Sequence, residues 1–319
     1  KSGECAKWDC SNGEKVSRVA AIDCGTNSIR LLIADISGGN FREIYRTMEI
    51  VRLGEGVDKN KKFELKAIER TLSAVKVFSE EINRRGAGAI RFCATSATRD
   101  AENRALFIDG VTEILGVAPE VISGDEEAEL SFMGAVREMH PSDAPFLVVD
   151  IGGGSTEFVF GDSDVKAARS VNVGCVRMSE RHFDSAPVSA SAIERAIFDI
   201  DQAISEAAQV VPIKEAKTLI AVAGTATTVA AAALELENYD RYAIHQSRIS
   251  SAKVSTISTR LLNMSRSEIA ELGYMHPGRV DVIAAGALVL DRIMKATGLP
   301  EFVASESDIL DGIAWSIAK

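Results

Sequence analysis

A carboxylate that closes an apolar run and is followed at once by a turn of Gly, Ser, Thr and Asn occurs twice in this chain. Asp23 precedes Gly25, Thr26, Asn27 and Ser28, and Asp150 precedes Gly152, Gly153, Gly154, Ser155 and Thr156. Such a turn lets backbone N–H groups approach a ligand closely, and its hydroxyls and amides can converge on phosphate oxygens. It is not a Walker loop, because no Gly-Lys-Ser/Thr follows and the next element reads as a strand. Bare carboxylates repel phosphate, so Asp23 and Asp150 call for a hard cation between them and the ligand. Mg²⁺ or Mn²⁺, held by one or two carboxylates plus the phosphates themselves, meets that need. Glu157, two residues beyond Ser155 and so on the same strand face, is a further candidate ligand, directly or through water. Each loop alone also reads as a tight hairpin turn, and either Asp as a turn cap.

Two such loops need a frame that holds both. The series Asp23, Gly25, Ser28, Asp35 recurs as Asp150, Gly152, Ser155, Asp162 at a constant separation of 127 residues, with apolar runs on both sides of each copy. An internal duplication accounts for this, and two facing hairpins would cradle one phosphate chain from opposite sides. Around the first loop, residues 18–23 and 29–36 read as a hairpin and 41–51 as a third strand. Leu65, Ile68, Leu72, Val75, Phe78 and Ile82 repeat at three and four residues, which puts one apolar face on a helix that ends before Gly86. A strand over 89–94, a helix over 101–115, a strand over 120–122 and a helix over 126–139 complete an α/β layer fold. Residues 141–145 read as a linker. Beyond it come strands at 146–149 and 158–160, helices at 192–209, 225–236, 254–262 and 280–296, and a strand over 218–223.

Composition narrows the partners. With 36 Lys+Arg against 46 Asp+Glu the formal charge is −10, which argues against nucleic acid, since duplex binding usually needs a basic field. Residues 1–124 carry 19 basic and 18 acidic side chains, net +1, which leaves 17 against 28, net −11, for residues 125–319. A polyanion is therefore better tolerated near the first half. No apolar stretch reaches the ~18 residues of a membrane span, and residues 1–15 lack the apolar core of a signal peptide, so the expectation is a cytoplasmic protein without a membrane partner. The five cysteines form neither a disulfide framework nor a zinc spacing, and Cys24 and Cys93 read as small buried hydrophobes. No histidine has a metal spacing or a nucleophile beside it in the sequence.

Three stretches carry a resemblance: Ala-Ala-Ile-Asp23-Cys-Gly-Thr-Asn-Ser-Ile-Arg30, Ser-Gly-Asp-Glu-Glu127-Ala and Val-Asp150-Ile-Gly-Gly-Gly-Ser-Thr-Glu157. They resemble the signature motifs of the exopolyphosphatase and guanosine pentaphosphate phosphatase (Ppx/GppA) family. Ala-Thr-Ser-Ala-Thr-Arg99, Gly174-Cys-Val-Arg, Ala223-Gly224-Thr225 and Pro277-Gly-Arg279 extend the resemblance over about residues 18–315. It implies an α/β fold of two duplicated ribonuclease H-like domains, of the actin, sugar kinase and Hsp70 superfamily, with the active site in the cleft between them. The expected divisions are an N-terminal extension or tag over 1–17, a first domain over 18–142 and a second over 143–302, with a C-terminal helix over 303–319 packing back on the first.

The resemblance implies an exopolyphosphatase that hydrolyses the terminal phosphate of inorganic polyphosphate, or of guanosine pentaphosphate, with Mg²⁺ or Mn²⁺. The alternatives are a superfamily kinase or ATPase, and a non-catalytic sensor that binds alarmone nucleotides. Longer family members add a helical domain, resembling an HD fold, that extends the polyphosphate channel; this sequence ends at Lys319, which sets the expectation at short chains. The family places the general base at Glu127. Taken alone, Glu126 and Glu127 are two good dipole partners at a helix start. The family also carries a phosphate-contacting arginine in the motif of Arg99, which follows a strand and opens a helix. The expected phosphate binders are Gly25, Thr26, Asn27 and Ser28 on one side and Gly152, Gly153, Gly154, Ser155 and Thr156 on the other. Gly224 and Thr225 shape the rear of the cleft, and Arg30 points either into it or into solvent. Asp23, Asp150 and Glu157 are the expected metal ligands. Polyphosphate and guanosine pentaphosphate are the expected partners, with a homodimer left open.

Overall fold

The computed structural model describes residues 16–317, so the extension expected over 1–17 lies outside the described residues except for Val16 and Ser17. Ser17 already opens the first strand. The first half runs β1 (Ser17–Cys24), β2 (Ser28–Ser37), β3 (Asn40–Ile50), α1 (Val57–Asn60), α2 (Leu65–Arg85), β4 (Ala89–Ala94), α3 (Ser96–Asp100), α4 (Arg104–Leu115), β5 (Glu120–Val121) and α5 (Gly124–Val136). The second opens with β6 (Phe146–Ile151), β7 (Thr156–Gly161), β8 (Val165–Val171), α6 (Cys175–His182), α7 (Ala190–Ala208), β9 (Thr218–Val222) and α8 (Ala223–Ala233). It continues through α9 (Arg241–Ile244), β10 (Arg248–Ser250), α10 (Ser251–Asn263), α11 (Arg266–Ala270), α12 (Ile283–Thr297), β11 (Glu301–Ala304) and α13 (Ile309–Ile317).

Both sheets have one plan. The first has the order β3-β2-β1-β4-β5, and the second runs β8-β7-β6-β9-β11 with β10 added at the edge. In each, an antiparallel three-strand meander is joined by a parallel strand, β4 beside β1 and β9 beside β6. This is the ribonuclease H-like order, repeated. The central strands read as apolar runs because both faces are covered; every residue of β6 and β7 is buried. On one face of the first sheet α2 lays down Ile68, Val75, Phe78 and Ile82 against Ile22, Leu31 and Ile33. Its helix stops where Gly86 takes a left-handed φ of 68°, a conformation that favours glycine.

Helix α5 lies between the two sheets. Leu130 joins Val19, Ala21 and Leu32 on the first sheet, whereas Ala128, Phe132 and Ala135 join Val148, Val159 and Ile220 on the second. A helix buried on two sides has no single apolar stripe. Helix α13 covers the rest of the first sheet's face through Ile309, Leu310, Ile313 and Ala314.

Some elements differ from the expectation. The helix expected over 101–115 starts at Arg104, and a separate short helix, α3, precedes it, with Arg99 in the last turn of α3 rather than opening the longer helix. The C-terminal helix starts at Ile309 and not at 303, because Glu301–Ala304 is a strand whose Phe302 to Ala304 pair in parallel with β9. The linker over 141–145 contains a 3₁₀ turn, Pro141–Asp143. Cys24, Cys93 and Cys175 are buried free thiols. Among the described residues no helix is long and apolar enough to cross a membrane.

Candidate active site

The two glycine-rich turns are built alike. Gly25 N donates to Ser28 O and Gly152 N to Ser155 O, both at 3.0 Å. The carbonyls of each turn are occupied from behind. Thr26 O accepts from Gly54 N at 2.9 Å, and Asn27 O from Val51 N and Arg52 N at 3.1 and 2.9 Å. In the second turn Gly152 O accepts from Cys175 N at 3.0 Å, and Gly153 O from Val176 N and Arg177 N at 2.9 and 3.0 Å. Carbonyl lone pairs that already hold donors repel an incoming anion less, so the turns present the surface a phosphate needs. The turns also meet. Thr26 Oγ1 lies 2.9 Å from Ser96 Oγ, and a Cβ on Gly153 would stand 2.7 Å from Thr26 Cβ, so the approach itself requires glycine there.

Between the turns opens a narrow cleft lined by Asp23, Gly25, Thr26, Asn27, Ser28, Arg30, Glu127, Asp150, Gly152, Gly153, Ser155, Gly224 and Arg279. Glu127 stands in the first turn of α5, whose N-cap Ser123 accepts from Glu126 N at 3.1 Å. Burial pushes the Glu127 carboxyl up to about 7 against the pull of Arg99, whose Nη1 donates to Glu127 Oε2 at 2.7 Å. One turn along the same helix, Ser131 Oγ donates to Asp150 Oδ2 at 2.6 Å. Burial, with the charge of Asp308 added, raises Asp150 to about 6. Glu157 is held well above the usual carboxylate range by burial and by the charges of Glu127 and Asp150.

The duplication breaks its symmetry at one pair of positions. Asp23 faces Arg30 across the first hairpin, and Asp150 faces Glu157 across the second. Arg30 and Glu157 occupy equivalent places in the repeat. Arg30 donates to Asp23 Oδ2 from Nη2 at 2.6 Å and from Nε at 2.9 Å, and its Nη1 reaches Asp308. It therefore lines the cleft rather than facing solvent. The expected trio of Asp23, Asp150 and Glu157 is not assembled, and among the described residues no group of three or more His, Cys, Asp or Glu is arranged to hold a metal. Arg30 has claimed Asp23. Asp150 and Glu157 retain the character of a cation seat: Glu157 Oε1 accepts from Ser170 Oγ at 2.7 Å, while its buried Oε2 has no hydrogen-bond partner. An orphaned buried carboxylate oxygen beside a second carboxylate fits a hard divalent cation that completes its shell with water and phosphate oxygens.

Glu157 itself is fully buried behind the cleft lining, and several other expected residues also stand apart from it. Arg99 is committed to Glu127 and to Ile122 O, at 2.9 Å, instead of reaching for a ligand. Thr156 donates to Val173 O at 2.6 Å and is a sheet residue. Thr225 is buried against Gly286, and Gly154 is wedged against Ser96 and Thr26. Two arginines that sequence reasoning assigned no role stand out, Arg279 in the cleft lining and Arg177 behind it. Arg279 lies over Gly224 so closely that a Cβ there would fall 1.7 Å from its Nη2. Among the described residues no carboxylate forms an ion pair with Arg279, and burial pushes its guanidinium below the usual range. Arg177 is buried and donates from Nε to Gly154 O at 2.6 Å. Both arginines sit in stretches already noted, Pro277-Gly-Arg279 and Gly174-Cys-Val-Arg, but only their partners give them a task.

A model described as the Ppx/GppA phosphatase family matches residues 32–318. The chain belongs to that family. Exopolyphosphatase 2 of Mycobacterium tuberculosis is 44% identical over 316 residues, which cover 95% of this chain and 99% of that relative. A solved exopolyphosphatase-like protein shares 42% identity and superposes with a TM-score of 0.92 over 95% of this chain and 98% of its own. The Aquifex aeolicus PPX-GPPA enzyme shares 26% identity with a TM-score of 0.79, covering 95% of this chain and all 100% of that one. The repeated α/β architecture is thus the fold of the family.

Proposed function

We propose that this protein is a phosphohydrolase that removes the terminal phosphate of inorganic polyphosphate or of guanosine pentaphosphate. The observation that carries the proposal is the placement of Glu127. A carboxylate pushed up to about 7 stands in a cleft walled by two phosphate-type turns, and a base near the working pH is best matched to taking a proton from water. The Mycobacterium tuberculosis relative, an exopolyphosphatase by name, supports the same reading. In the proposed reaction Glu127 orients a water and accepts its proton as the water oxygen bonds to the terminal phosphorus. The anhydride P–O bond breaks, and its electron pair leaves with the rest of the chain. Arg99 keeps Glu127 in place; Arg30 and Arg279 face the phosphates. Asp150 and Glu157 would hold Mg²⁺ or Mn²⁺, which when bound neutralises charge on the phosphate oxygens. The boundary between the two domains, proposed near residue 142, lets each contribute one turn.

The test is phosphate release measured side by side on tripolyphosphate, long-chain polyphosphate, guanosine pentaphosphate and ATP, each with Mg²⁺, with Mn²⁺ and in chelator. Metal-dependent release from one or more of the first three is expected. Release from ATP alone, or from nothing, would overturn the proposal.

A further inference from the structure

The geometry points to Arg177 as a positioning residue that clasps the two halves of the cleft together, holding the second phosphate turn in register with the first half's turn and with the Arg99–Glu127 pair. The inference rests on the proposed reading of those turns as phosphate binders. Every donor of the guanidinium that the structure engages goes to a different segment. Nε holds Gly154 O at 2.6 Å, Nη1 meets Asp58, and Nη2 donates to Asp100 Oδ2 at 2.6 Å. Asp100 is the next residue after Arg99, which pairs with Glu127. Asp58 lies in α1, two residues after Gly56, and the segment before it ties back to the first turn through Gly54 N and Thr26 O at 2.9 Å. Arg181, one helical turn on, grips Asp58 from outside with Nε and Nη2 at 2.6 and 2.9 Å.

Arg177 itself is 6% exposed. A buried guanidinium is tolerated only when its donors are satisfied, and two of these acceptors, Asp58 and Asp100, belong to the opposite half. The contact therefore forms only when the halves are together. The backbone of the same residue also donates to Gly153 O at 3.0 Å, so the side chain and the turn it steadies move as one. Arg177 does not line the cleft, which separates its task from binding or chemistry.

Without the clasp, a phosphate chain that spans both turns must itself draw the halves together. Some of its binding energy is then used for closure, and apparent affinity falls by the fraction of molecules already closed. Once substrate saturates, the same closed site is reached. Arg177→Ala is expected to raise KM for tripolyphosphate about ten- to a hundredfold while kcat changes less than about threefold. Arg177→Lys, which cannot reproduce the fork, should fall between. Small-angle scattering should show Arg177→Ala expanded without substrate and compact with it. Asp100→Asn leaves the bonds to Gly154 and Asp58 in place, so it tests the clasp even if Arg177→Ala is poorly folded; a KM rise of smaller size is expected. A fall in kcat at unchanged KM in either variant, or unchanged KM in both, would overturn the clasp. If wild type releases no phosphate from any substrate, the phosphohydrolase reading fails instead. Scattering then decides the clasp alone: expansion of Arg177→Ala supports it, and an unchanged profile refutes it.

Discussion

Gly134→Ala, a one-methyl change in the last turn of α5, should cost this protein both stability and activity. An added Cβ would lie 1.9 Å from Asp308 O and 2.7 Å from Asp308 C. The reciprocal contact exists on the other helix, where a Cβ on Gly312 would lie 2.0 Å from Leu130 O. Both obstacles are backbone, which cannot rotate aside, so α13 must retreat by more than an ångström. Alanine gains roughly 0.5–1 kcal/mol of helix propensity over glycine, against overpacking of typically about 1–3 kcal/mol, and more where backbone is struck. A net loss of about 2 kcal/mol is expected, a melting point lower by about 4–8 °C. The retreat also moves Asp308, whose Oδ1 accepts from Leu310 N at 3.0 Å and whose Oδ2 pairs with Arg30. Turnover below the melting point should therefore fall, by up to about 10²-fold for an ångström of displacement. Gly110→Ala is the control, since its added Cβ meets only the mobile end of Leu72, at 2.6 Å from Cδ1. Thermal melts and initial rates on the two variants check the reasoning; an unchanged or raised melting point for Gly134→Ala would refute it.

Glu127→Gln should keep the fold and lower kcat about 10²–10⁴-fold, whereas Glu126→Gln, whose carboxylate reaches out to Arg91 at 2.5 Å, should stay near normal. The opposite ranking in a phosphate-release assay would exchange their roles. Ser131→Ala removes the hydroxyl that fixes Asp150 and should raise the Mg²⁺ needed for half-maximal rate about 10–100-fold; an unaltered metal titration would speak against Asp150 as a ligand. In chelator, stability should rise as the pH falls from above 7 toward 5. The folded carboxyls of Glu127 and Asp150 sit at about 7 and about 6, above their unfolded values, so the native state binds more protons in that window and loses stability as pH rises. Melting points that climb with pH across that range would contradict this.

The parts of the fold with a clear period were legible in the sequence. The apolar runs of β1 and β2, and the three-and-four spacing of α2 stopped by Gly86, survive with small shifts at their ends. Strand β8 was not, because only Val171 of its seven residues is buried and no alternation marks it. Helix α8 begins two residues earlier than its pattern suggests, with Ala223 at a φ of 64°, a conformation no sequence rule assigns to alanine. The two turns declared themselves by composition, but the role given to Glu127 came only from its motif. What decides the rest of the site is contact across long separations. Arg30 meets Asp308 278 residues on, and Arg177 meets Asp58 119 residues back. A shorter contact, seven residues apart across one hairpin, turned an expected metal ligand, Asp23, into the partner of an arginine.

The position of α13 sets a timetable for synthesis. The face of the first sheet formed by Val19, Ala21 and Leu32 is covered by Ile309, Leu310 and Ile313, which the ribosome makes long after α5. At about 5–20 residues per second, roughly 10–35 s pass between the end of α5 and the arrival of this helix. Through that interval the nascent first half carries an uncovered apolar face, open to chaperones and to neighbouring chains on the same message. Arg30, too, waits for Asp308. No emerging fragment that stops short of α13 can hold a finished cleft, so the activity proposed for this protein waits on the synthesis of that helix.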